Sequence, residues 1–418
     1  MTDDKLNNYM YEFIEKICNE VGPRESGTEQ EILAGNIIEE ELTKICDEAH
    51  QEEYISSPHA FLGGIRYSSF LVLVSILLYW LSLLIDLRIL LIDNLYSLIF
   101  MTIAFILIIT SVSYFILEVM KYHESFDFLF PKRKSKNIVG VIKPSRNIKN
   151  SVIFSAHHDS AFEFNTFYYL KRFGQIIINV GYLGVGIIFI VIILKLILQL
   201  LSIDFIILFL SFGFFFLVFI PIILVYMFFH SYHPVLGAFD NLSGVAVVLG
   251  IGKFLSQNED NPEIFPKNTQ VYLISFAGEE AGLRGAKRYT NTHFHELKEE
   301  GTVVVNMDSI GKKGIVIIHD REPGIGAKHD PKIYQPLFEI AKKINPNAKI
   351  SPLPFGATDG GAFSKKGIPT ASIGGLNLKD ELPPYYHTRL DIPENVEKEA
   401  LGQFLKICLE YLKYLDTQ

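Results

Sequence analysis

Four long apolar segments dominate the hydrophobic pattern of the chain. They cover residues 68–85, 95–120, 176–201 and 205–229, and each is long enough to cross a bilayer as a helix. A short polar break separates the two segments of each pair, at residues 86–88 and 202–204. The pattern predicts four transmembrane helices in two hairpins, because few soluble cores are wide enough to bury four such runs.

Shorter apolar runs alternate with amphipathic stretches in the rest of the chain. The runs predict strands at residues 137–142, 151–156, 270–276, 302–306, 315–319 and 370–373. The amphipathic stretches predict helices at residues 5–20, 29–46, 243–256, 331–344 and 393–414. Residues 257–262 and 320–330 are predicted to be exposed loops. This alternation predicts an α/β fold with a mixed, largely parallel sheet and helices on both faces.

The composition supports a membrane protein and narrows the possible partners. The 418 residues are 49% hydrophobic and include 33 phenylalanines, which is more apolar than an ordinary soluble enzyme. The formal net charge of -8 argues against nucleic acid as a partner. Cys18, Cys46 and Cys408 have no metal-binding spacing, so we expect them to fill apolar positions in helices, as in a reducing compartment.

Two adjacent carboxylates, Glu279 and Glu280, follow the predicted strand at residues 270–276. A hydrolytic metal site needs one carboxylate bound to the metal and another that takes a proton from the attacking water. Adjacent residues can divide these two roles. Taken alone, the pair is better explained by two solvated glutamates at the start of a helix, where negative charge suits the helix dipole.

Other candidate ligands occur at comparable places along the chain. His157 and Asp159 follow a predicted strand, and strand alternation puts them on the same side. Asp240 precedes a predicted helix, Asp308 follows another strand, and His387 lies in a loop after two prolines. Each has an ordinary structural explanation by itself. Together with Glu280, the histidines and carboxylates provide the mixed nitrogen and oxygen ligands that suit two zinc ions, with other divalent metals as the alternative.

The motifs that carry these residues resemble those of the M28 metallopeptidases, which include co-catalytic zinc aminopeptidases and related carboxypeptidases. The matching residues are Ala156-His-His-Asp-Ser160, Gly237-Ala-Phe-Asp-Asn-Leu-Ser-Gly244, Phe276-Ala-Gly-Glu-Glu-Ala-Gly-Leu283, Asn306-Met-Asp308 and Tyr386-His-Thr388. The resemblance covers roughly residues 20–60 and 135–415 and leaves out the apolar segments. All five ligands are present in the expected order.

The resemblance implies a role for each ligand. One zinc ion would take His157 and Asp308. The other would take Glu280 and His387. Asp240 would bridge the two ions.

It also implies roles for the residues beside the ligands. Glu279 would be the general base, and Asp159 would hydrogen-bond the far nitrogen of His157 and fix its orientation. Where many relatives have Ser-Asp-His, this chain has Thr358-Asp359-Gly360. That departure puts the substrate contacts at this position in doubt.

The hairpins interrupt the predicted peptidase domain twice. The domain would comprise residues 1–66, 121–173 and 231–418, with hairpins at residues 67–120 and 174–230. His157 lies between the hairpins and the other ligands follow both. The ligands therefore share a compartment only if each insertion crosses the membrane an even number of times.

Charges near the span ends predict which side carries the catalytic domain. Lysine and arginine concentrate on the cytoplasmic side, and the catalytic side has many such residues: Arg66, Lys121, Lys132, Arg133, Lys134, Lys136, Lys171 and Arg172. The opposite side has Arg88 and Lys195, which we expect to extend toward the headgroups. The polar, acidic start of the chain is unlike a signal peptide. We expect an integral membrane protein with a cytoplasmic active site.

The sequence thus predicts a membrane-embedded, dinuclear zinc peptidase, most simply an aminopeptidase that hydrolyses short peptides. A carboxypeptidase is not excluded, and the oligomeric state is open. One alternative is a glutaminyl cyclase-like acyltransferase with a single zinc, against which His157 and Asp308 argue. Another is an inactive receptor or binding protein with a peptidase fold, against which the complete ligand set argues.

Overall fold

The computed structural model describes residues 4–376 and 382–418. Its strands, in chain order, are β1 (Glu48–Ser56), β2 (Arg133–Ile142), β3 (Asn150–His157), β4 (Phe162–Phe164), β5 (His230–Pro234), β6 (Thr269–Phe276), β7 (Val303–Asp308), β8 (Ile317–His319), β9 (Arg321–Glu322), β10 (Ala327–Lys328), β11 (Lys349–Ile350) and β12 (Thr370–Gly374). Its helices are α1 (Asp4–Glu20), α2 (Glu29–Thr43), α3 (Ile65–Asp86), α4 (Asn94–Tyr114), α5 (Asn165–Leu170), α6 (Arg172–Leu200), α7 (Ile206–Met227), α8 (Ser243–Ser256), α9 (Arg284–Thr292), α10 (Phe294–Glu299), α11 (Pro331–Ile344), α12 (Asp359–Lys365) and α13 (Lys398–Asp416).

The chain forms two compact units, and it passes between them several times. The sheet unit consists of Met1–Pro58, Phe130–Glu163 and His233–Gln418. The helical unit consists of His59–Leu129 and Phe164–Tyr232. The helical unit is therefore made from two insertions into the sequence of the sheet unit.

An eight-stranded sheet organises the sheet unit, in the order β1-β2-β6-β3-β7-β12-β8-β11. The four central strands β6, β3, β7 and β12 run parallel to one another. β1 and β2 add an antiparallel edge. Because the central strands share one direction, their carboxyl ends lie at the same edge of the sheet, which is where open α/β sheets bind ligands. The predicted α/β fold with a mixed, largely parallel sheet is confirmed.

Alternation along the strands divides their side chains between two helical layers. On one face, Val152 and Phe154 of β3 belong to a large apolar core that includes residues of α1, α8 and α13. On the other face, Phe276 at the end of β6 contacts Tyr289 of α9 and Phe363 of α12, with ring centroids 5.7 and 5.9 Å away. Helices thus cover both faces, as predicted.

One predicted loop is wrong. Residues 320–330 were expected to be exposed, but they contain β9 and β10, which pair with each other. Glu322 and Ala327 of this hairpin are buried. The buried carboxylate of Glu322 accepts hydrogen bonds from Thr358 at 2.6 Å and contacts His329 at 3.1 Å. A charged residue with this many buried partners cannot be recognised from local polarity.

Each insertion leaves the sheet unit and returns to it at neighbouring positions. Ser56 and Arg133, which flank the first insertion, are directly paired across β1 and β2. At the second insertion, the backbone N–H of Val235 donates to the carbonyl of Ala161 at 2.9 Å. Each insertion therefore begins and ends at neighbouring positions of the sheet unit.

Five helical stretches of the described chain are long and apolar enough to cross a membrane. Four are Pro58–Asp86, Asn94–Met120, Arg172–Leu200 and Ile206–Met227, in which 22 to 44% of the most apolar window is buried. The fifth, Ala238–Ser256, is 89% buried and contains α8, which packs against β3 and β6 in the core of the sheet unit. Its hydrophobicity is thus explained by burial within the protein.

Polar contacts join the helices of the helical unit. The hydroxyls of Ser68 in α3 and Ser111 in α4 lie 2.7 Å apart, and Ser82 and Ser97 form a second pair at the same distance. Small residues at such positions let antiparallel helices approach closely.

The predicted extension of Lys195 toward the headgroups is wrong. Lys195 is buried, and its ammonium donates to Asp86 at 2.6 Å and to Ser82 at 2.8 Å. Gln199, one turn further along α6, donates to Ser97 at 2.8 Å. An acidic partner on α3 therefore holds the lysine inside the helical unit, and hydropathy along α6 alone does not reveal that partner.

Candidate active site

Asp240 lies between two histidines that come from distant parts of the chain. Its Oδ1 is 3.3 Å from Nε2 of His157, and its Oδ2 is 3.0 Å from Nε2 of His387. Asp240 lies three residues before the start of α8, in non-helical backbone, and is buried. Each carboxylate oxygen thus faces a different imidazole, which is the geometry required of a ligand shared by two metal ions.

His157 is the last residue of β3, and Asp159 follows in the loop after it. Nδ1 of His157 lies 3.2 Å from the carbonyl and 3.4 Å from the carboxylate of Asp159. The intervening His158 points away from the site and pairs with Ser275 at 2.9 Å. Because Asp159 engages Nδ1, Nε2 of His157 is the nitrogen that faces Asp240.

Glu279 and Glu280 occupy the turn after β6. The carboxylate of Asp159 accepts the backbone N–H groups of both glutamates at 3.1 Å. Gly278 precedes them with φ +68°, and a Cβ there would lie 2.5 Å from Oη of Tyr54. Only glycine fits this turn, which directs the two adjacent side chains to different partners.

The two glutamates have different neighbours. Oε1 of Glu280 is 3.2 Å from Nε2 of His387. Oε2 of Glu279 is 3.8 Å from Nε2 of His157. Glu280 is thus on the His387 side of the site, and Glu279 is on the His157 side.

Asp308 ends β7, the strand next to β3. It forms a cluster with His157 and Glu279 in which one ligand atom of each residue lies within 4.8 Å of the others. His157, Asp240 and Glu280 form a second cluster by the same measure. The structure therefore brings all seven predicted site residues together at the carboxyl edge of the sheet.

This donor set fits two divalent zinc ions. It combines two imidazoles with three carboxylates, which matches the nitrogen and oxygen ligation of co-catalytic zinc. The backbone at His387 is left-handed, with φ +51°. Strain of this kind at a non-glycine residue is typical of functional positions, where surrounding contacts hold the side chain in place.

Burial and the charges of neighbouring side chains shift the pKa values of the carboxylates in the site. Burial raises the pKa of Glu279 well above its usual range, partly offset by His157. Burial and the nearby Asp240 raise the pKa of Asp308 to about 7. Although burial opposes it, hydrogen bonds from His157 and His387 hold the pKa of Asp240 below its usual range. These carboxylates strongly favour nearby positive charge.

Two supporting residues were missed by the sequence analysis. The carboxylate of Asp391 accepts the backbone N–H groups of Phe239 at 2.6 Å and Asp240 at 3.1 Å. It fixes the backbone that carries the shared carboxylate. Asp391 follows His387 by four residues, and this short spacing from a candidate ligand was the available signal.

Arg24 is the second missed residue, and it is fully buried. Its guanidinium donates to the carbonyls of His158 at 2.7 Å and Leu236 at 2.8 Å, and to those of Gly22 and Gly237. It therefore joins the loop after β3 to the segment before Asp240. No metal-ligand pattern includes an arginine, so the motif search could not find it.

The departure at residues 358–360 has a packing explanation. Asp359 is buried beside the site, and neither of its carboxylate oxygens has a hydrogen-bond partner among the described residues. Burial, reinforced by Asp159 and Asp308, raises its pKa well above the usual range. A Cβ at Gly360 would collide with Oγ of Ser372 on β12. A histidine at position 360 is excluded by this close approach of α12 to the sheet.

Comparison with solved structures shows the zinc aminopeptidase fold. The chain superposes on a zinc aminopeptidase from Bacillus subtilis with a TM-score of 0.55 at 16% identity, covering 98% of this chain and 95% of the other. It also superposes on a glutaminyl cyclase from Bacteroides thetaiotaomicron with a TM-score of 0.55 at 14% identity, covering 97% of each chain. At these identities the similarity establishes the fold.

Sequence comparison finds a family match over the carboxyl-terminal part of the chain. Residues 224–412 match peptidase family M28, so the resemblance predicted from the motifs is confirmed. The chain is also 28% identical over 171 residues to aminopeptidase YwaD of Bacillus subtilis (strain 168), which covers 40% of this chain. The match spans only 35% of the length of that relative.

Proposed function

We propose that the protein is a membrane-embedded zinc peptidase that uses two metal ions to hydrolyse peptide bonds. The observation that carries the proposal is the position of Asp240, with its two oxygens facing His157 and His387 at 3.3 and 3.0 Å. Glu280 and Asp308 belong to two separate clusters, each of which contains His157. The set provides ligands for two ions that share Asp240.

The residues divide the chemistry between them. When bound, zinc ions would polarise the scissile carbonyl and make water more acidic. Glu279 is the candidate general base, because burial raises its pKa and it is not needed to complete either ligand set. It would take a proton from water and return it to the leaving amine. Asp159 would hold His157 and the Glu279 turn in register through the hydrogen bonds described above.

We further propose that the reaction is the release of amino-terminal residues from short peptides. The Bacillus relative and several structural neighbours are aminopeptidases.

We also propose that the four apolar helices of the helical unit span a bilayer as two hairpins. Each insertion begins and ends at neighbouring positions of the sheet unit, which requires an even number of crossings. α8 meets the length criterion but is buried in the sheet unit. The basic residues that flank the spans support a cytoplasmic site.

Metal content and product analysis test the catalytic proposal. The purified full-length protein should contain close to two zinc ions per chain, measured by inductively coupled plasma mass spectrometry. It should release the first residue from peptides with a free amino terminus, and blocking that terminus should abolish release. Release from the carboxyl end would make the protein a carboxypeptidase. A metal-loaded protein that cleaves neither end would overturn the peptidase proposal.

Glutaminyl cyclase activity is the second candidate, since two of the structural neighbours have that name. A glutaminyl cyclase-like enzyme is expected to hold a single zinc ion. The proximity of Asp308 and His157 instead favours a second ion. A peptide with amino-terminal glutamine distinguishes the two activities, because cyclisation releases ammonia and hydrolysis releases free glutamine.

A further inference from the structure

We propose that residues 121–129, the return turn, lie against the bilayer interface beside the first hairpin, with Phe128 and Leu129 in contact with phospholipid. The proposal rests on the membrane embedding argued above. It adds a lipid-contacting surface that is separate from the four spans.

The return turn folds back along the helix from which it emerges. The second span ends at Met120, and the backbone N–H of His123 donates to Leu117 at 2.7 Å. The backbone N–H of Phe126 then donates to the carboxylate of Glu118 at 3.2 Å, and its ring contacts Tyr114 at 5.4 Å. Tyr114 precedes the helix end by six residues, up to about 9 Å along the axis.

One side of the return turn is packed and the other is open. Tyr122 and Phe126 pack into a cluster with Phe61 and Tyr114, and the ring of Tyr122 lies 4.6 Å from that of Phe61. The following residues form one 3₁₀ turn in which Leu129 N–H donates to Phe126 at 3.0 Å. Phe128 and Leu129 on this turn are 78% and 63% exposed. The packed residues thus fix two adjacent apolar side chains in solvent-accessible positions.

The return turn lies at the level where the proposed spans cross the interface between bilayer and water. Tyr114 is three residues beyond Ser111, which pairs with Ser68 at the start of α3. At this end of the helices, Arg66 lies 4.4 Å from the ring of Tyr232, and Arg172 lies 5.6 Å from that of Phe173. Basic and aromatic side chains of this kind mark the headgroup region of a bilayer.

These observations favour lipid as the partner of the return turn. Single exposed apolar residues are common on soluble surfaces. Here two adjacent ones sit on a turn that is directed back along an apolar helix. Phe128 is two residues beyond Phe126, about 4 Å along a 3₁₀ turn. Side chains at this depth beside a span would contact headgroups and the upper acyl chains.

Tryptophan fluorescence in liposomes tests the proposal. The chain has a single tryptophan, Trp80 in α3, so Trp80→Phe gives a background for Phe128→Trp and, separately, Leu129→Trp. The matched control is Ile148→Trp, which places tryptophan at an exposed apolar position of the sheet unit. The full-length variants are reconstituted into phosphatidylcholine vesicles that contain lipids brominated near either end of the acyl chain.

We expect blue-shifted emission from position 128 or 129, and a larger loss of intensity with bromine near the headgroup than with bromine near the methyl end. Position 148 should emit as in water, without quenching. Water-like emission at both 128 and 129 would overturn the proposal. Blue-shifted emission that bromine does not quench would also overturn it, because protein, such as a second copy, would then cover the turn.

The wild-type protein distinguishes a failure of the return turn proposal from a failure of the membrane proposal. Quenching of native Trp80 by the same lipids shows that the helical unit is embedded. If Trp80 is quenched and positions 128 and 129 are not, only the return turn proposal fails. If Trp80 is also unquenched, the membrane proposal itself fails.

Discussion

At the scale of single residues, the site depends on carboxylates that bind backbone as much as on those that face the histidines. Asp159 accepts the N–H groups of Glu279 and Glu280, and Asp391 accepts those of Phe239 and Asp240. Both are buried. Hydrogen bonds from two successive backbone N–H groups to one buried carboxyl group are directional, so they hold these loops in place.

The first prediction separates the two adjacent glutamates. Glu279→Gln should keep both zinc ions but lower turnover by roughly a hundredfold to ten-thousandfold, because the amide cannot accept the proton. Metal content and kcat are measured on the same preparation. Near-normal kcat in a metal-loaded Glu279→Gln protein would remove Glu279 from the role of base.

Glu280→Ala is the matched control at the neighbouring position. Its carboxylate faces His387 at 3.2 Å, so its loss should lower zinc content as well as turnover. If the Glu280→Ala protein retains the full zinc content of the wild type, Glu280 is not a ligand.

The second prediction concerns Arg24. Arg24→Met should destabilise the sheet unit by about 3 kcal/mol, because several buried carbonyls lose a charged donor. Arg24→Lys should have an intermediate stability, because the lysine ammonium keeps the positive charge but lacks the planar, multiple-donor geometry of the guanidinium. Thermal unfolding in one detergent compares the three proteins. Equal midpoints for all three would contradict the role assigned to the guanidinium.

At the scale of elements, an ion pair links helices from the two hairpins inside the helical unit. Lys195 on α6 donates to Asp86 and Ser82 on α3, and Gln199 donates to Ser97 on α4. Three helices thus meet in one hydrogen-bonded group. Buried pairs of this kind fix helix register more reliably than they add stability.

The third prediction uses this pair. Lys195→Met should destabilise the helical unit by roughly 3 kcal/mol, because Asp86 loses its ammonium partner. The double variant Lys195→Met with Asp86→Leu should recover most of the loss, since no charge remains to be satisfied. Thermal unfolding of the wild type, both single variants and the double variant completes the cycle. Additive losses in the double variant would show that the pair is not coupled.

Elements differed in how well the sequence predicted them. α8 and α11 were predicted with the observed limits, because their apolar positions are regular and Asp330 caps α11 through Lys332 N–H at 2.8 Å. β1 was missed because its residues are polar and acidic, and only pairing with β2 makes it a strand. The ligands were found from motifs at strand ends, whereas Arg24 and Asp391 act through backbone contacts that only the folded chain creates.

At the scale of the whole molecule, the order of ligands and spans along the chain predicts membrane topology. The fourth prediction places single cysteines at Arg88, between the first two proposed spans, and at Glu259, in the sheet unit, after replacement of the three native cysteines. In sealed vesicles, an impermeant thiol reagent should label these positions from opposite sides. Both positions are exposed, so the reagent can reach them. Labelling of both from the same side would contradict the two-hairpin arrangement.

The way each insertion meets the sheet unit has a consequence for engineering. Ser56 and Arg133 are cross-strand partners, and Ala161 and Val235 share a backbone hydrogen bond. The two ends of each insertion are therefore as close together as the first and last residues of a tight turn. A few glycine and serine residues are long enough to close such a gap. Replacing both insertions with such linkers should leave every predicted metal ligand on one continuous, water-soluble polypeptide. The chemistry of that polypeptide can then be studied without detergent.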